Sequence, residues 1–92
     1  MVETFLYRNG PNGMPYLCEF LEEHGAREIN LIDYAPDRCR IYEFRSGGVV
    51  AIEGEEGADC SKVSLAGFPP NGFAYRDIKR ELERSKARPL KA

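Results

Sequence analysis

Residues 38–53 read Arg-Cys-Arg-Ile-Tyr-Glu-Phe-Arg-Ser-Gly-Gly-Val-Val-Ala-Ile-Glu, and this segment decides the fold. Two runs rich in β-forming residues, Arg38–Arg45 and Val49–Glu53, flank the short loop at residues 46–48. The glycines of that loop accept the positive φ that tight turns require. The segment therefore predicts an antiparallel β-hairpin.

Side chains alternate between the two faces of this hairpin. Arg40, Tyr42 and Phe44 fall on one face, whereas Ile41 falls on the other. Because large apolar or aromatic groups occur on both faces, we expect helices to cover one face and the other to be partly exposed.

Further elements follow on both sides of the hairpin. Glu28–Tyr34 is β-rich and is separated from the hairpin by the turn residues 35–37, so a three-stranded meander is predicted. Residues 2–8 are a candidate first strand and Ser61–Leu65 a candidate further short strand.

Two segments have helical periodicity. Residues 13–24 carry an apolar stripe and precede Gly25, which can end a helix in the left-handed conformation. Phe73–Ala87 carries a narrower stripe, and we expect Pro89 to lie beyond its end.

These elements predict an α+β fold in a single small domain. A three- to four-stranded antiparallel β-meander packs against an N-terminal and a C-terminal α-helix, in the order (β)-α-β-β-β-(β)-α. We expect residues 1–88 to form the domain and residues 89–92 a flexible C-terminal tail. A domain of 92 residues has a small core, so a partner or a second copy could complete its burial.

Composition excludes several classes of protein. The net charge of −2 excludes a polycationic nucleic-acid coat, and no apolar run approaches the roughly 20 residues that span a bilayer. The N-terminus lacks the features of a secretory signal peptide. Together with an odd number of cysteines, three, these features favour a cytoplasmic protein with reduced thiols.

No motif for catalysis, metal or cofactor binding emerges from the chain. Cys18, Cys39, Cys60 and His24 lack the paired spacing of a zinc site, and Cys18 and His24 diverge on one predicted helix. The acidic residues 53–59 lack the spacing of a calcium loop. Phosphate-binding glycine motifs are also missing. We therefore expect no enzyme activity, no metal site and no cofactor.

Charge is unevenly distributed along the chain. Residues 76–92 hold seven basic and three acidic groups, a net +4, so residues 1–75 carry −6. Nucleic-acid binding through the basic C-terminal helix and tail is therefore the alternative function. Its candidate residues are Arg76, Lys79, Arg80, Arg84 and Lys86. The α-β-β-β-α order resembles a double-stranded-RNA-binding domain in outline, but the Gly-Pro-x-His loop of that family is absent.

The first hypothesis is a small non-catalytic module that binds another protein as a regulator, inhibitor or adaptor. Tyrosine and arginine often anchor protein interfaces, and acidic residues could face a basic groove. The candidate binding residues are Tyr34, Arg38, Arg40, Tyr42, Phe44, Arg45, Glu55 and Glu56. A homodimer is also expected, and the profile is typical of small proteins encoded on phages, plasmids or other mobile elements.

Overall fold

The computed structural model describes residues 2–8, 13–29, 39–54 and 60–90, apart from the side chains of residues 13–16 and 39. Residues 1, 9–12, 30–38, 55–59 and 91–92 lie outside the description. The elements are, in chain order, β1 (Val2–Arg8), α1 (Gly13–Glu23), β2 (Arg27–Ile29), β3 (Cys39–Glu43), β4 (Val49–Glu53), β5 (Cys60–Ala66), α2 (Phe73–Arg84) and β6 (Arg88–Leu90).

The strands form one antiparallel sheet in the order β2-β3-β4-β5-β1-β6. With its two helices this small domain is α+β, as predicted. The predicted number of three to four strands is too low, because the described residues form six. β1 pairs with β5 along its whole length, from Val2 opposite Ala66 to Arg8 opposite Cys60. Because β1 lies between β5 and β6, the first strand is an interior strand of the sheet.

The central hairpin forms as the sequence predicts. β3 pairs with β4 from Cys39 opposite Glu53 to Glu43 opposite Val49. In the loop, Gly47 has a φ of 100°, a value that glycine adopts without strain. The predicted strand before the hairpin, Glu28–Tyr34, is described only in its first part, as β2, because residues 30–38 lie outside the description.

Both helices end in the same hydrogen-bonded motif, which sequence detects in only one of them. After α1, Ala26 N donates to Leu21 O at 3.0 Å, and the residue before it, Gly25, has a φ of 91°. After α2, Ala87 N donates to Leu82 O at 2.9 Å, and Lys86 takes the positive φ of 58°. The helix ends at Arg84, so the predicted end at residue 87 is too late. Lysine rarely adopts this conformation, and the sequence therefore contained no signal for the earlier end.

The early end of α2 allows the chain to return to the sheet. β6 pairs with β1, with Thr4 opposite Leu90 and Leu6 opposite Arg88. Pro89 is compatible with an edge strand because it has no amide hydrogen to leave unpaired. Pro89 and Leu90, assigned by the sequence to a tail, therefore lie in a strand, whereas residues 91–92 lie outside the description.

One hydrophobic core joins both helices to one face of the sheet. The buried side chains of the strands are Phe5, Tyr7, Tyr42, Val50, Ile52, Val63 and Leu65, and those of the helices include Leu17, Leu21, Ile78 and Leu82. Strand alternation puts all of these strand residues on the same face. We call it the helix-covered face. No helix in the described part of the chain is long and apolar enough to cross a membrane.

Candidate protein-binding surface

The opposite side of the sheet, which we call the helix-free face, carries a row of mostly apolar side chains across all six strands. We call it the apolar row, although its two members on β5 and β1 are the hydroxyl-bearing Ser64 and Thr4. The register places side by side Ile29, Ile41, Ala51, Ser64, Thr4 and Leu90, in that order from β2 to β6. Those on β2, β3, β4, β5 and β1 are half-buried, and Leu90 is exposed. Neither described helix lies over this row, because the core holds both helices against the other face.

Charged side chains border the apolar row on both sides. On one side Arg27 of β2 lies opposite Glu43 of β3, and on the other side Glu53 of β4 lies opposite Lys62 of β5. All four side chains are exposed, as is Arg88 of β6. Opposite charges on directly opposed strand residues attract each other, so the pairing register itself arranges these charges.

The most exposed apolar corner of this face lies where β1 and β6 meet. Val2 is 65% exposed and Leu90 39% exposed, although both are large hydrophobic residues. A cavity of about 490 Å³ opens here. Val2, Thr4, Lys62 and Leu90 of this face line it, together with Glu3, Phe5 and Pro89, which alternate to the other face. Apolar groups left in water in this way are typical of a surface that another molecule covers.

The structure corrects the predicted role of Tyr42 and Phe44. Both were expected on an exposed binding face, but Tyr42 is fully buried and Phe44 is 4% exposed. Phe44 contacts Phe68 edge-on, with ring centroids 5.4 Å apart, beside α2. The helices cover these rings because this face carries the larger apolar side chains and therefore gains more from burial.

The other predicted binding residues are not gathered into one surface. Arg40 lies at the border of the helix-covered face, where its Nη1 is 3.8 Å from Cys18 Sγ. Arg45 is exposed in the hairpin loop. The remaining four lie outside the described residues, namely Tyr34, Arg38, Glu55 and Glu56.

Tyr42 has an unusual environment for a phenol. Its hydroxyl is buried close to Cys18 and Arg40, yet it has no hydrogen-bond partner with suitable geometry among the described residues. Burial raises the pKa of Tyr42, and the Cys18 thiol adds to this rise. The phenol therefore stays protonated at neutral pH, which makes it unsuited to act as a base.

A polar cluster attaches α2 to β1. Lys79 Nζ lies 2.8 Å from Glu3 Oε2, and the Tyr75 hydroxyl donates to Glu3 Oε1. The Lys79 ammonium also lies 5.0 Å from the centre of the Phe5 ring. Lys79 and then Tyr75 hold the pKa of the Glu3 carboxyl below its ordinary value. A carboxylate that is a weaker base, with both oxygens engaged, serves better as an attachment between elements than as a general base.

A second cavity lies next to this cluster. It has a volume of about 330 Å³, and its lining includes Glu3, Leu65, Phe68 and Tyr75. Within the described residues, no three His, Cys, Asp or Glu side chains come together in a way that could hold a metal ion. Cys18 is buried and Cys60 half-buried, both as free thiols.

Four of the five predicted nucleic-acid residues lie on α2, and the fifth, Lys86, lies in the turn after it. Lys79 is paired with Glu3, and Arg84 Nη2 lies 2.7 Å from Glu81 Oε1. Arg76, Arg80 and Lys86 are exposed. Arg76, Arg80 and Arg84 follow one another at intervals of four residues, which places them along one side of the helix.

Sequence reasoning missed the residues of the helix-free face, because the signal for them lies in a comparison of side chains across neighbouring strands. The alternation of β3 was recognised, but the two faces were not compared across neighbouring strands. On the helix-covered face, Val50 and Leu65 lie beside Tyr42. On the helix-free face, Ala51 and Ser64 lie beside Ile41. The smaller side chains mark the face that the helices leave uncovered.

Comparison with protein-family models, with curated proteins and with solved structures finds no match to this chain.

Proposed function

We propose that this protein is a non-catalytic protein-binding module and that the helix-free face is its binding surface. The observation that carries the proposal is the apolar row from Ile29 to Leu90, which crosses six strands without a described helix over it. Antiparallel sheets often have one face in water, but that face is then usually polar.

The composition of the row supports a protein as the ligand. Its central members, Ala51 and Ser64, are small, so a flat surface can approach the sheet closely. Charges of both signs flank the row, which suits a protein surface better than a membrane or a nucleic acid, because those two ligands favour basic surfaces. We therefore expect a partner that presents an apolar stripe bordered by acidic and basic groups.

Two matched serine substitutions test this surface. Ser64→Asp places a charge in the middle of the apolar row, whereas Ser46→Asp adds the same charge to the exposed hairpin loop. The wild-type protein and Ser46→Asp should capture the same protein from native lysate in equal amounts. Ser64→Asp should lose it while keeping the near-ultraviolet circular dichroism of a folded protein.

Equal capture of that protein by all three forms would refute the helix-free face as the binding surface. Equal loss in the two variants would also refute it, because Ser46 lies away from the row. A comparison of the two variants therefore separates a surface effect from the general effect of added negative charge.

A second candidate function, nucleic-acid binding, rests on the arginine stripe of α2. Arg76, Arg80 and Arg84 could contact about three phosphates, which predicts a slope near −2.7 in a plot of log affinity against log salt for duplex DNA. Arg80→Gln should make that slope less steep by about 0.9, since one phosphate contact is lost. No binding at low salt, or a slope that Arg80→Gln leaves unchanged, would exclude this function.

A further inference from the structure

The residues of the helix-free face are arranged so that the face is complementary to itself. β4 and β5 are the two central strands of the six described, and two strands lie on either side of them. A two-fold axis parallel to the strands, between β4 and β5 and above the face, would place β4 of one copy on β5 of the other. The same operation places β3 on β1 and β2 on β6.

This axis brings opposite charges together. Glu53 of β4 and Lys62 of β5 are directly paired within one chain, so they lie at the same height along the strands. In the two-fold arrangement Glu53 of one copy faces Lys62 of the second copy, and Lys62 faces Glu53. Four charges of alternating sign then meet at the interface, which favours this docking orientation.

The other two-fold axis within the interface plane, perpendicular to the strands, gives a poor match. Because it reverses the direction along each strand, it would set Glu53 against Val49, and Lys62 against Ala66. Both charges would then lose water without gaining a partner, which is costly. For Glu53 and Lys62, the charges on the two central strands, the pattern therefore favours the axis parallel to the strands, although that axis sets Glu43 opposite Val2.

The apolar row fits the same arrangement. Ile29, at the β2 end, faces Leu90, at the β6 end of the second copy, and the small Ala51 faces Ser64 near the axis. Small residues at the centre allow two sheets to approach to the usual separation of about 10 Å. Leu90, 39% exposed in one copy, would thus be covered by a half-buried isoleucine of the other.

The net charge and the area of the face both limit the strength of this pairing. The exposed charges of the face are four basic and two acidic, namely Arg8, Arg27, Lys62, Arg88, Glu43 and Glu53, so each face carries a net charge of +2. Six strands with a mean length of five residues cover about 29 by 17 Å, so two faces bury at most roughly 1,000 Å² in total. This area is at the lower end of specific interfaces, so the association should be weak and dependent on concentration.

We propose that the partner of the helix-free face is a second copy of this chain, docked face to face so that Glu53 meets Lys62 across a two-fold axis. The inference rests on the proposed function of that face as a binding surface, and it gives the partner an identity.

Charge-reversal variants test the arrangement by complementation. Glu53→Lys should place like charges opposite each other in the homodimer, and Lys62→Glu should do the same with negative charges. Each variant alone should dimerise at least ten-fold more weakly than the wild-type protein in sedimentation equilibrium. An equimolar mixture of the two should regain the wild-type affinity, because each lysine then faces a glutamate.

A variant outside the face controls for the change in net charge. Glu22→Lys alters the net charge as Glu53→Lys does, but it lies on the exposed side of α1 and should leave the dimer unchanged. Recovery of the dimer in the mixture cannot arise from misfolding, since both components must be folded to associate.

Two results would overturn the inference. The first is a wild-type protein that remains monomeric up to about 1 mM, which corresponds to an association weaker than about −4 kcal/mol. If Ser64→Asp still abolishes capture of another protein in that case, the proposed binding surface stands and only the identity of the partner is refuted. The second is a dimer that all variants leave unchanged, because it would use another surface.

Discussion

Successive residues of a strand point to opposite faces of the sheet, and the two faces of this sheet carry different side chains. On β3, β4 and β5 the helix-covered face carries Tyr42, Val50 and Leu65, which are all 2% exposed or less. One residue away, the helix-free face carries Ile41, Ala51 and Ser64. The comparison shows that the summed size of the side chains across several strands, rather than the presence of apolar residues on one strand, decides which face the helices cover.

The difference also separates two roles for apolar residues. Those of the helix-covered face stabilise the folded chain, because the helices remove them from water within one molecule. Those of the helix-free face stay partly in water until a second surface binds, so they contribute mainly to the free energy of association. Matched substitutions on the two faces can test this separation.

The largest difference is expected between two isoleucines. Ile52→Ala on the helix-covered face should lower the free energy of unfolding by about 3 kcal/mol, because it leaves a cavity in the core. Ile41→Ala on the helix-free face should lower it by at most about 1 kcal/mol, since that side chain is only half-buried. Urea unfolding at a dilution where the protein is monomeric measures both values, and equal losses would contradict the comparison.

A smaller effect of opposite sign is expected at Tyr42. Tyr42→Phe removes a buried hydroxyl that has no hydrogen-bond partner among the described residues, while it keeps the ring that fills the core. The variant should therefore gain about 1 kcal/mol in the free energy of unfolding. A clear loss of stability in Tyr42→Phe would show that the hydroxyl has a partner in solution.

The smallest effect is expected at Glu3, where α2 is attached to the helix-covered side of β1. Glu3→Gln should cost at most about 1 kcal/mol at pH 7, because its ion pair with Lys79 is partly in water. The folded state lowers the pKa of Glu3, so the pair stabilises the protein above the ordinary pKa near 4.5 and loses this effect as the pH falls through the folded-state value.

Unfolding by urea at several pH values measures this dependence. The difference between wild type and Glu3→Gln should be constant near neutral pH and should shrink at acidic pH once Glu3 is protonated in the folded state. Glu22→Gln on α1, whose side chain is exposed, is the matched control and should show no such trend. A difference that persists after protonation would assign the stabilisation to packing instead of charge.

Sequence predicted the local elements better than their assembly. The hairpin at residues 39–53, the first strand and both helices follow from alternation, periodicity and turn glycines. The pairing of β1 between β5 and β6 joins segments distant in the chain, and local patterns do not encode such contacts. β6 was missed because the turn before it uses Lys86, and no glycine or other turn signal marks the end of α2 there.

The candidate site was predicted less well than the fold. Tyr42 and Arg40 were correctly assigned to one face, but the choice of that face as the exposed one was wrong for Tyr42 and Phe44. The choice depended on knowing which strands are neighbours, because only the register sets Ala51 and Ser64 beside Ile41. The identity of a residue on a single strand could not supply that information.

The most direct test of the two-face account is the effect of a neutral paramagnetic relaxation agent on methyl groups, measured by nuclear magnetic resonance over a range of protein concentrations. In dilute solution the methyl groups of Ile41, Val49 and Ala51 should relax strongly, and those of Val50 and Ile52 weakly. As the concentration rises, the first group should become protected while the second stays unchanged. Strong relaxation of Ile41, Val49 and Ala51 that does not vary with concentration would contradict the homodimer alone. Protection of both groups at every dilution would contradict the two-face account itself.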